Sequence, residues 1–130
     1  MALALAVMVA GARSIRRIEV AGASMSPALE PGDRLLVIGT VWSRFLWPRP
    51  GDVVALRDPR HPGRTLVKRV AAIHRASATI EVLGDARGAS TDSRAFGPVP
   101  RSSIVGLAVY RYAPPGRKGP APWPEEYHQA

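Results

Sequence analysis

At 130 residues and 46% hydrophobic content, the chain is long enough for one apolar core and too short for two. Its formal net charge of +8 comes from 16 arginines and two lysines against 10 acidic residues; the arginines are spread without a nucleic-acid-binding motif or aromatic stacking array, so nucleic acid is not an expected partner. Cysteine is absent, which excludes disulfides, thiolate metal sites and cysteine catalysis, and His61, His74 and His128 lack metal-ligand spacing, so no metal or other cofactor is expected.

The chain opens on an uninterrupted apolar run, Met1 to Ala10, which ends near Gly11-Ala12-Arg13. A helix through Ala12 would span about 18 Å against a hydrocarbon core of about 30 Å, too short to cross alone. Strand-like Arg17-Ile18-Glu19-Val20 follows, then Ser24-Met25-Ser26-Pro27, then Glu30-Pro31-Gly32-Asp33, a turn of the Pro-Gly-Asp type. After Arg34-Leu35-Leu36-Val37 comes Val41-Trp42-Ser43-Arg44-Phe45-Leu46-Trp47-Pro48-Arg49. Its aromatics and arginines suit a membrane interface, and equally a hairpin whose rings pack into the core. Leu66-Val67-Lys68-Arg69-Val70 reads as a short β-type run, and the polar, glycine-containing stretch from Gly84 to Arg94 reads as a loop. Residues 113–130, with five prolines among glycines and charges, predict an extended tail that Trp123 and Tyr127 are placed to dock. Short apolar stretches divided by Pro and Gly make the predicted fold mainly β, built of short strands.

Two residues carry candidate chemistry. Period-two alternation puts Lys68 on the face of Leu66 and Val70, in apolar company. A desolvated lysine can become a neutral amine at working pH, which arginine cannot, so Lys68 is a candidate general base; the alternative is a lysine that snorkels from a strand. Ser24 is the matching candidate nucleophile, because a neutral amine can take a serine proton without histidine or aspartate. A further polar group must orient that amine, and the Gly84 to Arg94 loop is rich in such groups.

In order along the chain, Ser24-Met25-Ser26-Pro27, Arg34 to Val37, Pro50 to Val54, Val67-Lys68-Arg69-Val70 and Gly84-Asp85 through Ser90-Thr91-Asp92-Ser93-Arg94 resemble the boxes of the type I signal peptidase family, and Gly97 to Pro100 and Ile104 to Gly106 extend the last match. The resemblance runs from about Ile18 to Gly106. Ala86 and Ala89 stand where the family usually has asparagine, Gly88 where it often has aspartate, and Gly22 where some members carry an oxyanion-hole serine. The resemblance implies a small signal-peptidase-like β domain of antiparallel strands that cleaves after small residues, with Ser24 and Lys68 catalytic and Ser90 orienting the lysine. Backbone N–H groups around Gly22 and Ser24 would hold the oxyanion, Val20, Met25, Leu29, Leu66 and Val67 would line the substrate pocket, and Arg94 with Asp85 or Asp92 would form an ion pair that holds the loop.

The implied organisation is a partial membrane anchor at 1–12, a catalytic domain at 13–112 and the tail at 113–130. The implied partners are a precursor protein with a leader or signal peptide and a membrane lipid surface, to which basic residues contribute about 1 kcal/mol each at anionic headgroups. A general signal peptidase would act on the outer side of a bacterial cytoplasmic membrane. One alternative within the family, a cytoplasmic maturation protease for nickel-type superoxide dismutase, is similar in length and in the Tyr110 to Pro115 stretch. Self-cleaving repressors of the SOS class resemble the chain at Gly22 to Met25 and Val67 to Arg69 but lack the final box. An inactive peptide- or lipid-binding β module is the remaining reading.

Overall fold

The computed structural model describes residues 15–39, 47–86, 88 and 91–124. Eight strands follow one another: β1 (Ile15–Glu19), β2 (Arg34–Gly39), β3 (Val53–Asp58), β4 (His61–His74), β5 (Thr79–Leu83), β6 (Val99–Pro100), β7 (Ile104–Ala113) and β8 (Gly119–Pro120). A one-turn helix, α1 (Ser93–Phe96), precedes β6, and 3-10 turns at Arg101–Ser103 and Pro115–Arg117 flank β7. The strands form one antiparallel sheet in the order β1-β2-β7-β3-β4-β5-β6, with β8 also paired to β7. The mainly β fold is therefore as the sequence predicts.

The central strand β3 explains the two-sided core. Val53 and Ala55 pack with Val20, Met25, Leu29, Leu35, Val37 and Trp123 in one apolar cluster, whereas Val54 and Leu56 pack with Val70, Ile80, Val82, Val99 and Ile104 in another. Successive side chains point to opposite faces, so a run of four apolar residues is what a strand covered on both sides requires.

The same turn sets the start of two strands. Glu30-Pro31-Gly32-Asp33 precedes β2 and Arg49-Pro50-Gly51-Asp52 precedes β3; in each, the Asp N–H bonds the carbonyl three residues back, at 3.0 and 2.9 Å. Gly32 and Gly51 have φ of 93° and 97°, the left-handed region that a type II turn requires at its third position, with Pro preset at the second. Each Asp then accepts a hydrogen bond from the N–H of the turn's first residue, Glu30 at 2.9 Å and Arg49 at 2.8 Å. The Pro-Gly-Asp signal in the sequence is thus a complete side-chain-locked turn, used twice.

Residues 114–124 are docked on the sheet, with the 3-10 turn at Pro115–Arg117 followed by β8. β8 pairs Tyr110 and Arg111 of β7 through Pro120 and Gly119, and the Trp123 side chain is 5% exposed within the first cluster. Composition shows why this stretch forms no α-helix. It does not show that Trp123 has a core site waiting for it.

Candidate active site

Ser24 sits in a loop that leaves the sheet after β1 and returns at β2. Its base is closed by two backbone bonds, Val20 N–H to Asp33 O and Gly32 N–H to Val20 O, both 2.8 Å. Within the loop Met25 and Leu29 are fully buried, and the Leu29 N–H bonds the Met25 carbonyl at 2.9 Å. These apolar anchors pull the loop onto the core and leave Ser24 half-buried and Gly22 and Ala23 exposed. The Ser26 hydroxyl donates to the Glu30 carboxylate, tying the far side of the same turn.

Lys68 lies mid-way along β4, opposite Val54 of β3, and is 3% exposed. Its strand neighbours on the same face, Leu66 and Val70, belong to the second apolar cluster, as the alternation predicts. Burial pushes the ammonium pKa below the ordinary lysine value; Asp92 and Asp58 oppose that shift, and Arg94 and Arg60 reinforce it.

Ser24 and Lys68 are anchored in different clusters, and residues 84–86 connect them. The Ala86 N–H bonds the Ser24 carbonyl at 2.8 Å. Its neighbour Asp85 takes a two-pronged ion pair from Arg69, with Nε to Oδ1 and Nη2 to Oδ2 both 2.8 Å, and Arg69 directly follows Lys68. The Gly84 N–H donates to Asp92 Oδ2 at 2.8 Å. Asp92 also caps α1 through the Arg94 N–H at 3.1 Å and pairs with the Arg94 guanidinium at 2.9 and 2.6 Å. Of the two partners the resemblance offers Arg94, the structure pairs it with Asp92, and Asp85 belongs to Arg69. Ser93 bonds the loop to β5, its hydroxyl accepting from the Val82 N–H at 2.9 Å.

Among the pocket positions, Val20, Met25 and Leu29 are buried in the first cluster, while Leu66 and Val67 are half-buried against opposite clusters. A groove of about 300 Å³ opens between residues 51–53, 107–109 and 121–122, and none of those five lines it. Ser90, Trp42, Tyr127, His128 and the apolar segment 1–12 lie outside the described residues. Trp47 is half-buried against the second cluster, with the Arg75 and Arg101 guanidiniums 5.1 and 4.6 Å from its ring centroid. His61 is exposed at the start of β4, and His74 bonds Glu81 at 2.5 Å on the surface. Among the described residues, no group of three His, Cys, Asp or Glu could hold a metal ion, and no helix is long and apolar enough to cross a membrane.

The amino-acid sequence matches known proteins. A family model described as signal peptidase, peptidase S26, matches residues 1–74 and 76–113. The chain belongs to this family. Mitochondrial ATP-independent inner membrane protease subunit 1b of Arabidopsis thaliana is 34% identical over 124 residues, covering 78% of this chain and 73% of that protein. Mitochondrial inner membrane protease subunit 2 of Homo sapiens is 33% identical over 122 residues, 79% of this chain and 69% of that protein. Probable signal peptidase I-1 of Synechocystis sp. is 27% identical over 138 residues, 74% of this chain and 70% of that protein. This S26 peptidase is accordingly a serine-type hydrolase. Relatives named for the mitochondrial inner membrane stand beside the Synechocystis one, so the match singles out no bacterial membrane.

Two buried residues that brace the loops of the candidate site are missing from the sequence reading. Arg69 is one, hidden among 16 arginines until its Asp85 partner is known. Asp33 is the other: its turn position is legible, but its carboxylate also accepts from Arg111 at 3.2 Å and from Arg117 at 3.1 Å, residues 78 and 84 positions away. Burial works to raise the Asp33 pKa, and the Arg117 hydrogen bond, the Glu30 N–H and the charges of Arg117 and Arg111 outweigh it, so the carboxyl sits below the usual range.

Proposed function

We propose that this S26 peptidase is an endopeptidase that removes leader or signal peptides from precursor proteins after small residues, with Ser24 as nucleophile and Lys68 as general base. The observation that carries the reading is Lys68 itself: a lysine 3% exposed, with a lowered pKa, one residue from the ion pair whose loop bonds the Ser24 backbone.

Neutral Lys68 takes the Ser24 hydroxyl proton as the oxygen attacks the scissile carbonyl. The resulting ammonium returns the proton to the leaving amine, and the Ser24 acyl ester remains. Water, deprotonated by the again neutral Lys68, attacks that ester and releases the acid and free Ser24. Ser90 orients the amine, and backbone N–H groups around Gly22 and Ser24 stabilise the oxyanion, at about 3 kcal/mol per donor. Residues 13–112 form the catalytic domain. The apolar segment 1–12 holds it at a membrane, in keeping with relatives named as inner membrane proteases.

Covalent labelling tests this reading. A mechanism-based acylating inhibitor is expected to modify one residue, Ser24, by peptide mapping, and to leave Ser24→Ala unmodified and Lys68→Arg modified at a far lower rate. Labelling at another serine in the wild-type protein would reassign the nucleophile.

A further inference from the structure

Between the two candidate reacting residues and the carboxy-terminal segment lie several contacts that neither the family match nor the proposed chemistry uses. Arg69 donates to both Asp85 oxygens, to the Gly51 carbonyl at 2.9 Å and to the Trp123 carbonyl at 2.5 Å. Trp123 also contributes its ring to the cluster that contains Val20, Met25 and Leu29, the base and anchors of the Ser24 loop. Nearby, Arg111 holds the Ala28 carbonyl at 2.9 Å with its guanidinium 6.0 Å from the Trp123 ring centroid. Arg117, in the 3-10 turn of the same segment, grips Asp33 at the loop's closing end with two bonds of 3.1 Å. The segment is registered between these points by β8 and by the Ala121 N–H bond to the Val109 carbonyl at 3.0 Å.

We propose that residues 114–124 are a strap that positions the reacting groups, with Trp123 as its positioning residue: the ring seats the Ser24 loop and the carbonyl fixes Arg69. The inference rests on the Ser24/Lys68 reading. Arg69 directly follows Lys68 in β4, so holding Arg69 holds the strand backbone from which Lys68 projects to the opposite face. It also holds Asp85, and so the Ala86 bond to Ser24. One strap residue therefore sets both partners, and a small displacement of either is enough to slow a reaction that depends on alignment.

The Trp123 indole N–H is buried and has no hydrogen-bond partner among the described residues. The indole is thus held for its ring area and its backbone, not for its donor, and phenylalanine can serve in its place.

The test compares Trp123→Ala with Trp123→Phe in the full chain. The probe is a synthetic peptide with alanine one and three positions before the cleaved bond, and rates are taken per folded molecule at a temperature well below either melting transition. Trp123→Ala is expected to lower kcat at least about tenfold with KM within about twofold, while Trp123→Phe stays within about twofold of wild type in both. Loosening Arg69 and Asp85 also loosens Gly84, whose N–H holds Asp92, the leading charge acting on Lys68, so the acid limb of kcat/KM should shift in Trp123→Ala, with Arg94, Asp58 and Arg60 left in place. A folded Trp123→Ala with wild-type kcat and acid limb overturns the strap. Should Trp123→Ala not fold, Arg117→Ala releases the other anchor without emptying a core site; about a threefold loss of kcat is expected there, and an unchanged kcat overturns the strap equally. Failure of the dyad shows separately, as turnover in Ser24→Ala.

Discussion

Arg69 and Asp85 face one another through two parallel 2.8 Å hydrogen bonds, both side chains at most 9% exposed. Such a pair contributes little net stability when whole and costs a great deal when halved, because the surviving charge stays buried. Asp85→Ala should therefore destabilise the protein by about 3 to 5 kcal/mol in urea unfolding. The double variant Arg69→Met, Asp85→Leu should recover most of that loss while remaining poorly active. A double variant as unstable as Asp85→Ala would mean that the pair's role is not electrostatic.

Lys68 carries the opposite sign of stability effect. Its folded-state pKa is lowered, so the unfolded chain holds the proton more readily, and at neutral pH this buried lysine opposes folding. That penalty disappears as pH rises through the ordinary lysine range, where both states are neutral. Lys68→Met should accordingly raise the Tm at pH 7 while abolishing cleavage, with the Tm gain shrinking toward pH of about 10. A Tm gain that is the same at both pH values would point to packing and not to the desolvated charge.

Asp33 behaves the other way. Its depressed folded pKa means that its contribution is present above the ordinary carboxylate pKa and is lost as pH falls through the folded value. Asp33→Asn should cost about 3 kcal/mol at pH 7, since it leaves Arg111 and Arg117 without their carboxylate, and the difference from wild type should close in acid as Asp33 itself protonates. Equal losses at both ends of the pH range would place the effect in the turn geometry instead.

The contrast between what was and was not legible follows from sequence separation. The Pro-Gly-Asp turn before β2 and the apolar face of Lys68 are local, each set by a few neighbouring residues, and both are read from pattern. The Arg69–Asp85 pair spans 16 residues and the Arg117–Asp33 pair 84, and in a chain with 16 arginines nothing local marks which one has a buried partner. Trp47 is an intermediate case. Its pattern allowed both core and interface, and the structure has it half-buried on the second cluster and flanked by Arg75 and Arg101. Trp123 is a partial case: the sequence names it as a docking residue, and the structure buries it in the first cluster, but the site itself is not legible, because proline-rich sequence reports what backbone a segment can adopt and not what it packs against.

The pH dependence of kcat/KM for wild type and Lys68→Arg, on the peptide with alanine one and three positions before the cleaved bond, addresses the central claim most directly. Wild type should rise with pH through a single deprotonation to a plateau, at a pKa below that of an ordinary lysine, and His61→Gln and His74→Gln should keep that profile. Lys68→Arg keeps the charge and cannot become a neutral base, so it should show no turnover at any pH. Wild-type turnover in Lys68→Arg, or a rise that vanishes with either histidine, would contradict the assignment of Lys68 as the base.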